Sequence, residues 1–149
     1  MDKAIYFDMD GTLCDFYGVN GWLDCLIKGD VKPYREAKPL VNMRSLSAKL
    51  KMLQLMGYKV GIVSWLSKSG TADYNAKVTQ VKLNWLKKHI GSVVWDEVKI
   101  VPYGTPKQLT VDCPAGLLFD DEKPNRTNWL GRAENVNNIL ETLNSLIEG

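Results

Sequence analysis

Apolar residues along this chain fall into short compact runs, separated by longer stretches in which they recur every three or four positions. Lys3 to Phe7 (KAIYF) is one such run, and it predicts a buried strand ending at Asp8. Val41 to Met56 places Leu46, Leu50, Leu53 and Met56 at helical spacing, with Gly57 following as a C-terminal cap. Tyr58 to Val63 (YKVGIV) is a second strand, ending at Ser64. Asp73 to His89 predicts a second helix whose buried side carries Val78, Val81, Leu83, Trp85 and Leu86. Lys87, Lys88 and His89, before Gly91, complement its negative end. Val98 to Val101 and Gly116 to Phe119 (GLLF) are further strands, the latter ending at Asp120, and Val136 to Ile147 is a closing helix.

Strands alternating with helices predict an α/β fold. The expected form is a three-layer, Rossmann-like open parallel sheet with helices on both faces. One segment breaks the alternation. Residues 14–39 carry Gly18, Gly21, Gly29, Pro33 and Pro39 together with Phe16, Tyr17, Trp22 and Tyr34. Connections beyond ~12–15 residues are usually functional lids or disordered. We therefore expect one domain over residues 1–149, with an irregular lid insert at 14–39 after the first strand. The lid aromatics Phe16, Tyr17 and Trp22 either stack on a substrate or pin the insert to the body.

Composition narrows the class. The 149 residues are 45% hydrophobic and 24% charged, an ordinary globular balance. Nineteen basic against seventeen acidic side chains leave a formal +2, too little to mark a nucleic-acid footprint by itself. Cys14, Cys25 and Cys113 form no C-x-x-C pair and lie far in sequence from the single His89, which argues against a zinc site or a disulfide framework. No basic segment followed by an apolar core opens the sequence, and no apolar run approaches the ~18 residues of a membrane span. A reduced, cytoplasmic setting without a membrane or an obligate protein partner is the expectation. Neither G-x-x-x-x-G-K-[ST] nor G-x-G-x-x-G occurs, so neither a P-loop nor a dinucleotide fingerprint is present.

In open α/β sheets ligands bind beyond the carboxyl ends of the strands. There the sequence places Asp8 and Asp10 (DMDGT), Ser64, Lys107 (YGTPK) and the Asp120-Asp121 pair. Carboxylates gathered this closely raise one another's pKa unless a cation compensates. Oxygen ligands without imidazole or thiolate suit a hard cation, and Mg2+ is the expected one. For the lysine, Lys99 and Lys123 compete with Lys107. Which of Asp120 and Asp121 touches metal stays open.

DMDGT at Asp8–Thr12, Ser64 after an apolar strand, Lys107 and Asp120-Asp121 resemble, in order, the four motifs of the haloacid dehalogenase superfamily. Within it, LLFDDEKPN resembles the acidic motif of the deoxyribonucleotidases, and the stretch GYKVGIVSWLSKSGTADYNAKVTQVKLNWL resembles polynucleotide 3′-phosphatase domains. The resemblance implies a Mg2+-dependent phosphatase in which Asp8 is the nucleophile and Asp10 the general acid and base. It implies metal ligation by Asp8, the Asp10 main-chain carbonyl and Asp120, with Asp121 orienting metal waters or Lys107. Ser64, Lys107 and main-chain N–H groups near Met9 and Trp65 would bind phosphoryl oxygens. Thr12 would bond back to its loop and count among the phosphate-binding groups. The favoured substrate is a nucleotide or a polynucleotide end. A general small-metabolite phosphatase, or a non-catalytic module that kept the fold, are the alternatives.

Overall fold

The computed structural model describes all residues, Met1 to Gly149. In chain order the elements are β1 (Ala4–Phe7), β2 (Cys14–Asp15), α1 (Trp22–Lys28), α2 (Lys32–Glu36), β3 (Lys38–Pro39), α3 (Met43–Leu55) and β4 (Lys59–Trp65). These are followed by α4 (Ala72–Ile90), β5 (Glu97–Val101), β6 (Leu117–Phe119), α5 (Lys123–Asn128), β7 (Arg132–Glu134) and α6 (Ile139–Glu148). Five strands form a sheet in the order β5-β4-β1-β6-β7, and every neighbouring pair is parallel. The central strand β1 is buried along its whole length, which is why its sequence is an unbroken apolar run rather than an alternating one. No helix is long and apolar enough to cross a membrane.

The two faces of the sheet are covered unequally. Ile5 and Phe7 of β1, Val60 and Ile62 of β4, and Leu117 and Phe119 of β6 point to one face. Leu46, Leu50 and Leu53 of α3, Trp85, Leu86 and Ile90 of α4, and Ile139 and Leu143 of α6 pack on them. On the other face Ala4, Tyr6, Val63 and Leu118 meet Val111 and Trp129, with Cys113 and Ala133 packed beside them, so the segment between β5 and β6 and the end of α5 make a thinner layer. Trp129 is fixed there by its ring N–H, which donates to the Gly116 carbonyl at 3.0 Å.

Local chemistry explains the main boundaries. Asn42 caps α3 by accepting from the Ser45 N–H at 3.1 Å, and Thr71 caps α4 by accepting from the Tyr74 N–H at 3.1 Å. α3 ends in a Schellman motif: Gly57 adopts φ +92°, its N–H donates to Gln54, and the Tyr58 N–H donates to Leu53. Gly91 does not act this way. Its φ is −66°, so α4 ends without the left-handed cap its sequence suggested. β7 is also new: Arg-Ala-Glu carries no apolar run and escapes a pattern reading.

The 14–39 segment is more regular than its glycines and prolines suggest. β2 pairs antiparallel with β3, Cys14 with Pro39 and Asp15 with Lys38, and closes the base of the insert. Between them lie the two short helices α1 and α2. Phe16 and Tyr34 pack with Tyr74 and Val78 of α4. Two hydrogen bonds add to this: Tyr74 Oη donates to the Asp30 carbonyl at 3.0 Å, and Trp85 Nε1 to the Ala37 carbonyl at 2.7 Å.

Candidate active site

Beyond β1 the chain turns sharply. The Met9 carbonyl accepts from the N–H groups of Thr12, Leu13 and Cys14 at 3.0, 2.9 and 2.9 Å, while Gly11 N–H donates to the Cys14 carbonyl at 2.8 Å. Gly11 has φ +82°, and a Cβ there would collide with the Asp121 carboxylate, so both backbone and space require glycine. This turn leaves Asp8 and Asp10 at the carboxyl edge of the sheet, where both line a cavity of about 540 Å³ with Lys107.

Lys107 lies in a short 3-10 turn on the segment covering the thinner face, and it is 3% exposed. Its Nζ donates to Asp8 Oδ1 at 2.9 Å and to Asp120 Oδ2 at 2.7 Å. Of Lys99, Lys107 and Lys123, it is the lysine whose ammonium reaches the carboxylates. Burial opposes its charge, but Asp8 and Asp120 outweigh that and hold its pKa above the usual lysine value. Burial likewise works against the Asp8 charge. Lys107, a hydrogen bond with Asp121, and Lys82 overcome it and keep this carboxyl below the usual range.

Asp120 and Asp121 differ in what they hold. Asp120 is fully buried. Its Oδ2 accepts from Lys107 and from Asn125 Nδ2 at 3.2 Å, and its Oδ1 accepts from the Glu122 N–H at 2.9 Å. Asp121 has no ammonium beside it. Of its two expected roles, orienting metal waters or Lys107, the contact with Lys107 is absent: that ammonium bonds to Asp8 and Asp120. Burial, a hydrogen bond with Asp8 and the charges of Asp8, Asp120 and Glu122 push the Asp121 carboxyl up to about 8. For Asp120, burial and the Asp8 charge outweigh Lys107 and give about 6. Ligand oxygens of Asp8, Asp120 and Asp121 all lie within 4.8 Å of one another.

Thr12 and Ser64, two of the expected phosphate-binding groups, are both enclosed and hydrogen-bonded to neighbouring side chains. Thr12 is fully buried, and its Oγ1 donates to Asp8 Oδ2 at 3.1 Å and accepts from the Asp121 N–H at 3.3 Å. It braces the loop that carries Asp8. Ser64, at the end of β4, is also fully buried, and its Oγ accepts from Lys82 Nζ at 2.8 Å. Met9 is buried at 1% exposure and shapes the turn, whereas Trp65 lines the cavity, its ring N–H donating to the Thr105 carbonyl at 2.8 Å.

Lys82 itself is a residue that motif reading missed. It is 1% exposed on α4, and its Nζ donates to Asp10 Oδ2 at 2.9 Å, to Ser64 Oγ and to the Trp65 carbonyl at 2.7 Å. Burial pushes the Asp10 carboxyl up against the pull of Lys82, and the Asp8 charge adds to the push. The signal was present: position 82 stands four after Val78 and four before Leu86, inside the buried stripe. Val81 and Leu83, expected on the buried side of this helix, are half-buried and 39% exposed.

The lid supplies an aromatic wall to the cavity. Phe16, at 3% exposure, is the packed centre, with ring centroids 4.7 Å from Tyr34 and 5.6 Å from Trp22. It holds the lid together, and the faces left for a ligand are those of Tyr17, 51% exposed, and Trp22. Trp65 and Tyr103, with centroids 4.8 Å apart, and Lys68 line the cavity from the ends of β4 and β5.

No family model matches the sequence, and no curated protein matches it. Solved structures do. A D,D-heptose 1,7-bisphosphate phosphatase from Burkholderia thailandensis superposes with a TM-score of 0.59 at 11% identity, covering 99% of this chain and 100% of its own. The D,D-heptose 1,7-bisphosphate phosphatase of B. bronchiseptica, complexed with magnesium and phosphate, gives a TM-score of 0.51 at 14% identity. That match covers 85% of this chain and 74% of its own. At these identities the likeness shows the fold, and it is the α/β fold that the alternation of strands and helices predicted.

Proposed function

We propose that this chain is a Mg2+-dependent phosphomonoester hydrolase working through an aspartyl-phosphate, with a nucleotide or a polynucleotide end as favoured substrate. The observation that carries the reaction class is the pair at the sheet edge. Asp8 is kept anionic by Lys107, and Asp10, two residues on, holds one oxygen on Lys82 and has the other unbonded beside the cavity. An anionic carboxylate is a competent nucleophile toward phosphorus, and a second carboxyl next to it can serve the leaving oxygen and then the attacking water. Lys107 and main-chain N–H groups near Met9 and Trp65 receive the phosphoryl oxygens. Removing one such fixed donor typically costs ~10²–10³ in rate.

The residues fit a hard divalent cation. The donor set is all oxygen, and Asp121 is a carboxylate pressed against Asp8 without a compensating ammonium. Asp8, the Asp10 main-chain carbonyl and Asp121 would hold the ion, while Asp120 is already occupied with Lys107, Glu122 and Asn125. When bound, Mg2+ supplies charge compensation and orientation for the phosphoryl group.

The substrate reading rests on the cavity. Its volume of about 540 Å³ lies in the range of small-molecule sites. Tyr17, Trp22, Trp65 and Tyr103 offer aromatic surface around a polar floor. Stacking of a base on such a face is worth ~1–3 kcal/mol. A phosphate-release screen over mononucleotides, 3′-phosphorylated oligonucleotides and sugar phosphates, with Mg2+ or with EDTA, tests the proposal. Fastest release from a nucleotide or oligonucleotide end, lost in EDTA, supports it. Fastest release from a sugar phosphate would make the chain a general small-metabolite phosphatase, and no release from any ester would make it a non-catalytic module.

A further inference from the structure

A buried ammonium is costly unless each of its donors is paired, and replacing buried ion pairs by apolar residues is often neutral for stability. Lys82 sits among Val78, Trp85 and Leu86 on the apolar side of α4, where an aliphatic residue would suit the fold. Its three donors are all used, on Asp10 Oδ2, Ser64 Oγ and the Trp65 carbonyl. The ring of Tyr34 from the lid lies 5.3 Å from the ammonium and closes it off. The partners belong to two chain segments, the turn after β1 and the end of β4. Asp10 Oδ1 makes no hydrogen bond and is not buried, and the Asp10 side chain keeps 22% of its surface exposed.

We propose that Lys82 is the positioning residue of the proton-transfer carboxylate. Anchored on Ser64 and the Trp65 carbonyl, it holds Asp10 Oδ2 in the wall, so that Oδ1 is the oxygen presented to the reacting ester. This rests on the phosphatase reading above. In the first displacement an Asp8 oxygen bonds to phosphorus as the bond to the ester oxygen breaks, and the proton on Asp10 Oδ1 passes to that departing oxygen. In the second, water oxygen bonds to phosphorus, its proton passes to Asp10 Oδ1, and the Asp8–phosphorus link breaks. Ester cleavage to a strongly basic alkoxide needs the proton, whereas a nitrophenolate departs without it.

The test compares kcat/KM on 4-nitrophenyl phosphate with kcat/KM on an alkyl phosphate such as a nucleoside 5′-monophosphate. Wild type, Lys82→Met and Lys82→Arg are assayed in Mg2+, with folding followed by circular dichroism and thermal melting. In Lys82→Met the alkyl ester loses ~10²-fold or more and the aryl ester less than ~10-fold, so the aryl-to-alkyl ratio widens by ~10-fold or more. Lys82→Arg keeps the charge, but its planar fork cannot set three N–H groups around one nitrogen, so the ratio widens in the same direction. Equal losses on both esters, leaving the ratio unmoved in a folded variant, would overturn the inference and reduce Lys82 to a structural role. Should Lys82→Met fail to fold, the ratio in Lys82→Arg decides alone. Wild-type protein releasing phosphate from neither ester would overturn the phosphatase reading, and this inference with it; active wild type with an unmoved ratio overturns the inference only.

Discussion

Two buried ammonium groups divide the carboxylates of the site between them. Lys107 takes Asp8 and Asp120, Lys82 takes Asp10, and Asp121 is left over. That division sets the behaviour of single substitutions. Asp8→Asn removes the anionic carboxylate proposed as nucleophile and should lower turnover of an aryl phosphate by at least ~10³-fold. Turnover near wild type would exclude a covalent intermediate on Asp8. The two neighbouring aspartates should separate in a metal titration. Asp121→Asn removes the carboxylate without a cation partner and should weaken Mg2+ more than Asp120→Asn does. Asp120→Asn should instead destabilise the fold, by ~3 kcal/mol, because it leaves Lys107 half-paired in a closed environment. Calorimetric titration and denaturant melts of both variants check this, and the opposite order of Mg2+ affinities would return the direct ligand to Asp120.

At the scale of elements, the lid and α4 behave as one unit. Tyr74, Val78 and Trp85 of α4 all touch the 14–39 segment. The lid aromatics therefore split by exposure rather than acting alike. Tyr17→Ala and Trp22→Ala should lower kcat/KM for a nucleotide by roughly 5- to 150-fold, the equivalent of ~1–3 kcal/mol of stacking, and spare a small phosphate ester. Phe16→Ala should cost ~3–5 kcal/mol of stability. Melting curves beside kinetics on both substrates separate these outcomes, and equal kinetic losses on both substrates for Tyr17→Ala and Trp22→Ala would assign these aromatics to packing. The long elements were legible because periodicity is strong where a helix or strand buries a continuous face: α3, α4, β1, β4 and β6 all follow their apolar patterns. β7 was not, because an edge strand of Arg-Ala-Glu buries too little to leave a pattern. The acidic cluster was readable from strand ends. The enclosure of Thr12 and Ser64 was not, since it depends on Asp121 and Lys82, which arrive from distant parts of the chain. Lys82 was obscured by its own charge, which reads as a solvated position until its partners are in place.

For the molecule as a whole, the crowded carboxylates couple global stability to pH and metal. Asp120 at about 6 and Asp121 at about 8 hold protons in the folded state where their ordinary value of 3.8 leaves an unfolded chain without them. The native state then binds more protons, so stability in EDTA should fall as pH rises from about 5 to 8. Asp8 is shifted the opposite way, but its contribution is already complete above 3.8 and adds no slope in that window. Saturating Mg2+ should flatten the fall, and Asp121→Asn should remove part of it. Tm measured from pH 5 to 8 in EDTA and in Mg2+ tests this, and a Tm rising with pH in EDTA would contradict it. The enclosure of Lys82 also bears on how the protein can be handled. The residue is 1% exposed with all three donors paired, and it lies out of reach of an acylating reagent that modifies surface amines. A molecule labelled at this position has opened at the moment of labelling. The peptide carrying it thus forms an internal gauge of the intact fraction, readable by mass spectrometry in a crude mixture without purification or any assay of activity.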